Sequence, residues 1–311
     1  MSSTTDPAAP NAGPGDDMAW VPGQTVVLGS DEHYPEEAPA HEVTVAGFWI
    51  QTHQVTNDQY AQFVSDTGYV TVAERALNPQ DYPGAPPENL QPGSMVFRRT
   101  TGPVDLRHLS QWWQWTPGAC WNHPRGPRST TRGRDDHPVV HLAFEDAQTY
   151  AHWAGLELPT EAEWETAARG GLAQATYTWG EEPETEGQRL ANYWHGEFPY
   201  LPDTGYGTTT PVGSFPANGY GLHDMAGNVW EWTTDFYGGD RAVTACCAAD
   251  SVDPQFNIPR RVIKGGSFLC ADSYCMRYRP AARRPQQIDT GMTHLGFRCI
   301  RRQSTRAAPT L

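Results

Sequence analysis

The chain has 311 residues, with 22 basic against 36 acidic side chains, a formal charge of −14 and a pI near 5.1. That balance excludes a general binder of phosphate backbones, and no apolar run approaches the roughly 20 residues that a bilayer span needs. A hydrophobic content of 38% beside 30 Gly, 27 Pro and 12 Trp implies a loop-rich fold anchored by aromatic side chains rather than long helices.

Residues 1–17 are rich in Ser, Thr, Pro and Ala and lack the basic start and apolar centre of a signal peptide, so they read as a disordered arm on a cytoplasmic protein. Thr25–Gly29 and His41–Ile50 then read as strands, with the acidic, Pro-containing stretch Asp31–Ala40 as an exposed turn between them. Thr56-Asn-Asp-Gln59 is a capping box that opens a helix with Tyr60, Phe63 and Val64 on one face and Gly68 as its stop.

From Glu74 to Arg134 the pattern gives way to Pro/Gly-rich sequence carrying Trp112, Trp113, Trp115 and Trp121. So many tryptophans need burial, which predicts an ordered insertion forming one wall of a substrate cleft. His137–Phe144 reads as a strand and Glu145–Ala154 as a helix closed by Gly155. Thr160-Glu-Ala-Glu163 is a second capping box, for a helix that ends at Gly170-Gly171. His137 and His141 lack a partner at metal-ligand spacing and read as structural.

Short strands and turns follow from Tyr177, and Leu295–Ile300 reads as a closing buried strand. No linker or repeat interrupts Met18–Arg302, which predicts one domain over residues 18–302 with tails at 1–17 and 303–311.

Chemistry concentrates in two places. Arg261-Val-Ile263 reads as a strand leading through Gly265-Gly266 to Cys270 and Cys275, with arginines at 277, 279, 283 and 284. A zinc half-site would need further Cys or His at ligand spacing, which is missing. A disulfide is disfavoured in a reducing compartment. Two thiolates suit a soft ion such as Cu(I), and neighbouring guanidiniums favour the thiolate. On the residues alone, disulfide and soft metal both stay open. In Asp224-Met-Ala-Gly-Asn-Val-Trp-Glu231, two carboxylates flank a glycine turn, a pattern compatible with hard Ca2+ or with carboxylates that simply bond the turn. Cys246-Cys247 read as free thiols, and Cys120 and Cys299 as small core residues. No nucleophile elbow, P-loop or dinucleotide-binding glycine motif is present.

Leu158-Pro-Thr-Glu-Ala-Glu-Trp-Glu165, Gly227-Asn-Val-Trp-Glu-Trp232, Lys264-Gly-Gly-Ser-Phe-Leu-Cys270, Ser273-Tyr-Cys275, Arg277-Tyr-Arg279 and Leu295-Gly-Phe-Arg-Cys299 resemble the formylglycine-generating (sulfatase-modifying) enzymes, bacterial type. The resemblance implies a single α+β domain of the C-type-lectin-like kind. It implies a copper-dependent oxidase that uses O2 and a thiol reductant to convert the cysteine of a Cys-x-Pro-x-Arg segment in a sulfatase polypeptide to Cα-formylglycine. Cys270 and Cys275 would hold Cu(I), Ser267 would position oxygen and substrate, and Trp230 would wall the site.

The family's structural Ca2+ maps onto Asp224, Gly227, Val229 and Glu231, and a second site onto Asn192, Tyr193 and Tyr206. The chain departs from the family at Ala271, where a His is usual, and at Pro285-Gln-Gln-Ile-Asp289. Secreted members of the family carry two disulfides, and by the resemblance three of those positions are Ala151, Ala168 and Pro280 here, which leaves Cys299 alone. The rival readings are a non-catalytic lectin-like binding module, against which the retained Gly-Gly-Ser and Cys block weighs, and an iron-dependent sulfoxide synthase relative, which would need a His-rich helical domain before Met18.

Overall fold

A computed structural model describes residues 15, 17–80, 82–84, 86–184, 187–238, 251–253 and 257–303. The expected tails and Cys246-Cys247 lie largely or wholly outside these residues.

In chain order the elements are β1 (Met18–Val21), β2 (Gln24–Leu28), β3 (His41–Val45), β4 (Phe48–Gln51), α1 (Asn57–Thr67), β5 (Gly93–Phe97), β6 (Trp113–Pro117), α2 (Phe144–Trp153) and α3 (Glu161–Arg169). They continue with β7 (Gly196–Glu197), β8 (Leu201–Pro202), β9 (Trp230–Phe236), β10 (Arg260–Lys264), β11 (Arg283–Gln287), β12 (Leu295–Gly296) and β13 (Ile300–Arg302). One sheet runs β1-β4-β13, so the last strand closes on the first hairpin region. A second runs β11-β10-β9-β12, and the remaining pairs are two-stranded. Few helices, small sheets and long connections make an α+β fold of the lectin-like kind.

Both capping boxes form. The Thr56 amide donates to Gln59 Oε1 at 2.9 Å and the Gln59 amide donates to Thr56 Oγ1 at 3.3 Å. In α3 the Thr160 amide donates to Glu163 Oε2 at 2.7 Å and the Glu163 amide returns to Thr160 Oγ1 at 3.1 Å. Gly68 and Gly170 close the helices in the left-handed region that a side chain would strain. α3 is buried although it carries three acids, because each is matched: Glu165 by Arg169 and Lys264, Glu161 by Arg283, and Glu163 by Arg302.

Several local readings are corrected. His41–Ile50 is two strands, split at Ala46-Gly47, where a Cβ on Gly47 would lie 2.4 Å from the Trp20 ring. Asp31–Ala40 is not simply an exposed turn. A short 3-10 turn, Pro35–Glu37, buries Glu37 completely. His137–Phe144 forms no strand: its buried residues bond to unrelated segments, Val139 N–H to Val55 O and His141 N–H to Met292 O, and His141 sits at φ 64°. An apolar run needs a continuous ladder partner to become a strand, and among the described residues none runs alongside. The Trp-rich insertion contains the hairpin β5-β6, and β9 follows directly from the acidic turn. Leu295–Ile300 is buried but divides between β12 and β13.

Candidate active site

The adjacent strands β10 and β11 are paired from Lys264↔Arg283 outward, so residues 265–282 form a loop whose ends are tied together. Its first two residues, Gly265 and Gly266, adopt φ of 93° and 73°. A Cβ on Gly266 would come 2.7 Å from Arg277 O, so only glycine lets the two limbs of the loop approach. Beyond it the Cys270 amide bonds Ser267 O, and the Cys275 amide bonds Ala271 O at 2.6 Å. This tight turn brings the two sulfurs to 3.4 Å. That is well beyond the roughly 2.05 Å of a bonded pair, and both cysteines are free thiols.

Both thiols are buried, yet Asp272 and Ser273 between them are exposed, so the pair sits just beneath the surface. Cys275 is the more acidic: the hydrogen bond from Cys270 holds its thiol low, helped by the Arg277 guanidinium, whose Nη1 is 3.7 Å from the sulfur. Burial pushes Cys270 up. Among the described residues no group of three or more His, Cys, Asp or Glu is placed to hold a metal ion. A soft ion at this pair would therefore take two thiolates and leave a position for a ligand from outside the chain.

Trp230, at the head of β9, is 2% exposed and packs in the same cluster as both cysteines. Ser267 Oγ lies 2.9 Å from His294 Nδ1 and accepts from the Leu269 amide at 3.2 Å. Burial and the charge of Arg284 push the His294 imidazole down to about 3, so it is neutral. Its ring packs against Trp113 of the insertion, 4.8 Å between centroids. His294 escaped sequence reasoning because nothing near it in the chain marks it as a partner of Ser267. The Glu36 and Glu37 contacts were equally hidden. Arg277 pairs with Glu36 at 2.7 Å and lies over the Tyr34 ring, while Arg279 pairs with Glu37 with both side chains almost wholly buried.

The acidic turn lies behind this loop, joined to it by the bond from Gly227 N–H to Gly265 O. Glu231 accepts four hydrogen bonds, from Arg298 Nε and Trp164 Nε1 at one oxygen and from Arg298 Nη2 and Gln54 Nε2 at the other. All its lone-pair directions are used. Asp224 Oδ2 accepts from the Gly213 amide at 2.7 Å, but its Oδ1 is buried without a hydrogen-bond partner. Burial raises the Asp224 pKa.

Asn192 abuts this turn, and a Cβ on Gly227 would meet Asn192 O at 2.3 Å. Asn192 Nδ2 donates to Thr208 O, and its Oδ1 is likewise buried and unpartnered. Val229 is buried in the turn. Tyr193 is turned away, stacked on Tyr278 at 4.0 Å, and Tyr206 packs edge-on against His195.

Residues 3–303 match the sulfatase-modifying factor enzyme 1-like domain. The chain is 56% identical to the formylglycine-generating enzyme of Mycobacterium tuberculosis over 91% of its length and 97% of that protein. It is 44% identical to the enzyme of the same name from Thermomonospora curvata, covering 91% and 92% of the two chains. Among solved structures it superposes on PvdO from Pseudomonas aeruginosa with a TM-score of 0.61 at 23% identity, covering 92% and 94%, a likeness of fold.

Proposed function

The chain belongs to the sulfatase-modifying factor enzyme 1-like family, and from that premise we propose that it oxidises a cysteine of a sulfatase polypeptide to Cα-formylglycine, with Cu(I) held by Cys270 and Cys275 and O2 as oxidant. The observation that carries this reading is the buried, unbonded thiol pair at 3.4 Å beside the Arg277 guanidinium, with no third His, Cys, Asp or Glu placed to join it among the described residues. The reaction balances when the substrate –CH2–SH becomes –CHO, one oxygen atom enters the aldehyde, the other leaves as water and the sulfur leaves as H2S. Two electrons and two protons then come from a thiol reductant.

Bound copper supplies the redox chemistry that activates O2. The protein supplies the rest. Arg277 favours the charged form of Cys275, which a soft ion requires. Neutral His294 fixes the Ser267 hydroxyl, so this group can present a lone pair or a proton at a set position beside the thiols. Trp230 makes that side of the site apolar and keeps water from it.

The test is a Cys-x-Pro-x-Arg peptide incubated with the protein, with and without added Cu(I), in the presence of O2 and a thiol reductant. Loss of thiol and gain of an aldehyde, seen by mass spectrometry and only with copper, is the expected result. A copper-loaded protein that binds the peptide without changing its mass would instead indicate a lectin-like binding module.

Structural Ca2+ forms part of the same proposal. Unpartnered Asp224 Oδ1 fits it, with the carbonyls of Gly227 and Val229 as companions, whereas Glu231 can join only by releasing Arg298. Asn192 Oδ1 is the corresponding donor for a second ion, to which the family resemblance adds Tyr193 and Tyr206. Added Ca2+ is expected to raise the thermal midpoint of chelator-treated protein, and Asp224→Asn to remove most of that gain. An unchanged midpoint in the unmodified protein refutes calcium at the turn.

A further inference from the structure

A cavity of about 400 Å³ opens beside the reaction centre, and four of the side chains that line it are Arg98, Arg99, Arg125 and Arg134. No Asp or Glu lines it, an unusual composition in a protein whose formal charge is −14. Among the described residues, none of the four guanidiniums has a carboxylate partner. Arg134 donates to Thr208 Oγ1 at 3.2 Å, and Arg98 makes two long bonds, to Thr116 Oγ1 and Arg125 O. Arg99 and Arg125 are exposed. Four like charges converging on one hollow repel one another, an arrangement that an anion relieves.

The cavity's inner wall includes Phe268 and Thr293. These are chain neighbours of Ser267 and His294, which bond each other at the site. Adjacent Cα atoms are about 3.8 Å apart, and an extended chain advances about 3.3 Å per residue. A polypeptide with its cysteine at the thiol pair therefore reaches the cavity within a few residues. Aromatic walls, Phe97, Trp121 and Tyr206, and a volume well beyond that of a lone oxyanion fit a side chain on a peptide.

We propose that this cavity is a recognition subsite for an acidic residue flanking the reacting cysteine of the polypeptide substrate. The inference rests on the formylglycine-generating reading, and its test separates the two. Peptides built around Cys-x-Pro-x-Arg are compared with Asp or Ala placed at successive positions on either flank.

The expected result is a kcat/KM for the best Asp peptide about tenfold above its Ala counterpart, a gain of the size a few partly screened ion pairs provide, declining as KCl is added. In R99Q/R125Q, which removes two exposed side chains that make no hydrogen bond among the described residues, the ratio should fall towards one. A ratio near one in the unmodified protein, or a high ratio that survives in R99Q/R125Q, overturns the subsite. Inorganic phosphate that inhibits Asp and Ala peptides equally, through these arginines, shows a free-oxyanion site and overturns it too. Failure to turn over any peptide, by contrast, strikes the proposed reaction and not the subsite.

Discussion

Cys275→Ser is expected to cut turnover of a Cys-x-Pro-x-Arg peptide by more than about a hundredfold while leaving the fold in place. Residues that merely orient a metal's ligands already cost about 10–100-fold when removed, and a direct thiolate should cost more. Serine is close in size to cysteine, and its hydroxyl can accept the bonds that Cys270 and Arg277 offer the sulfur. A hydroxyl is nevertheless a hard ligand and does not replace a thiolate on Cu(I). Circular dichroism should therefore be unchanged, and a Cu(I) titration against a competing chelator should lose its tight equivalent. A variant with full turnover would remove the two-thiolate centre from consideration, whatever its copper content.

Arg298→Met is expected to cost about 3–5 kcal/mol of stability, the usual penalty for stranding a buried charge. Glu231 and Arg298 are essentially inaccessible and joined by two bonds of 2.8 and 2.9 Å. Without the guanidinium, Glu231 keeps only Trp164 and Gln54 as donors. Urea unfolding measures the loss directly, and E231Q/R298M should recover part of it because no net charge stays buried. A single variant as stable as the parent would mean that solvent or a cation satisfies Glu231 instead.

Much of the site could be read from the chain because its chemistry is local. Cys270 and Cys275 are five residues apart, the glycine pair precedes them, and a tight turn follows from those residues alone. The capping boxes at Thr56 and Thr160 are also local, and both form. What escaped reading depends on distant partners. His294 meets Ser267 only because β12 lies parallel to β9. Glu37 looked like solvent-facing charge because Arg279, which buries it, lies 242 residues further on. Val139 to His141 lie in a stretch that read as a strand, but the fold gives Val139 and His141 separate partners. Glu231 was legible as an acid at a turn, while its engagement by Arg298 could not be seen without the tertiary structure.

The Glu36–Arg277 and Glu37–Arg279 pairs also bear on synthesis. During translation the Pro35–Glu37 turn is made early, and its cationic partners appear only after residue 276. Closing a loop this long is entropically slow and cannot begin before the distal half of the chain exists. A polypeptide halted short of Arg279 thus has its thiols but not the clamp that braces them. The bracing of the thiol loop is thus made by a late segment, and a polypeptide that stops before Arg277 keeps the local turn of Cys270 and Cys275 without that brace.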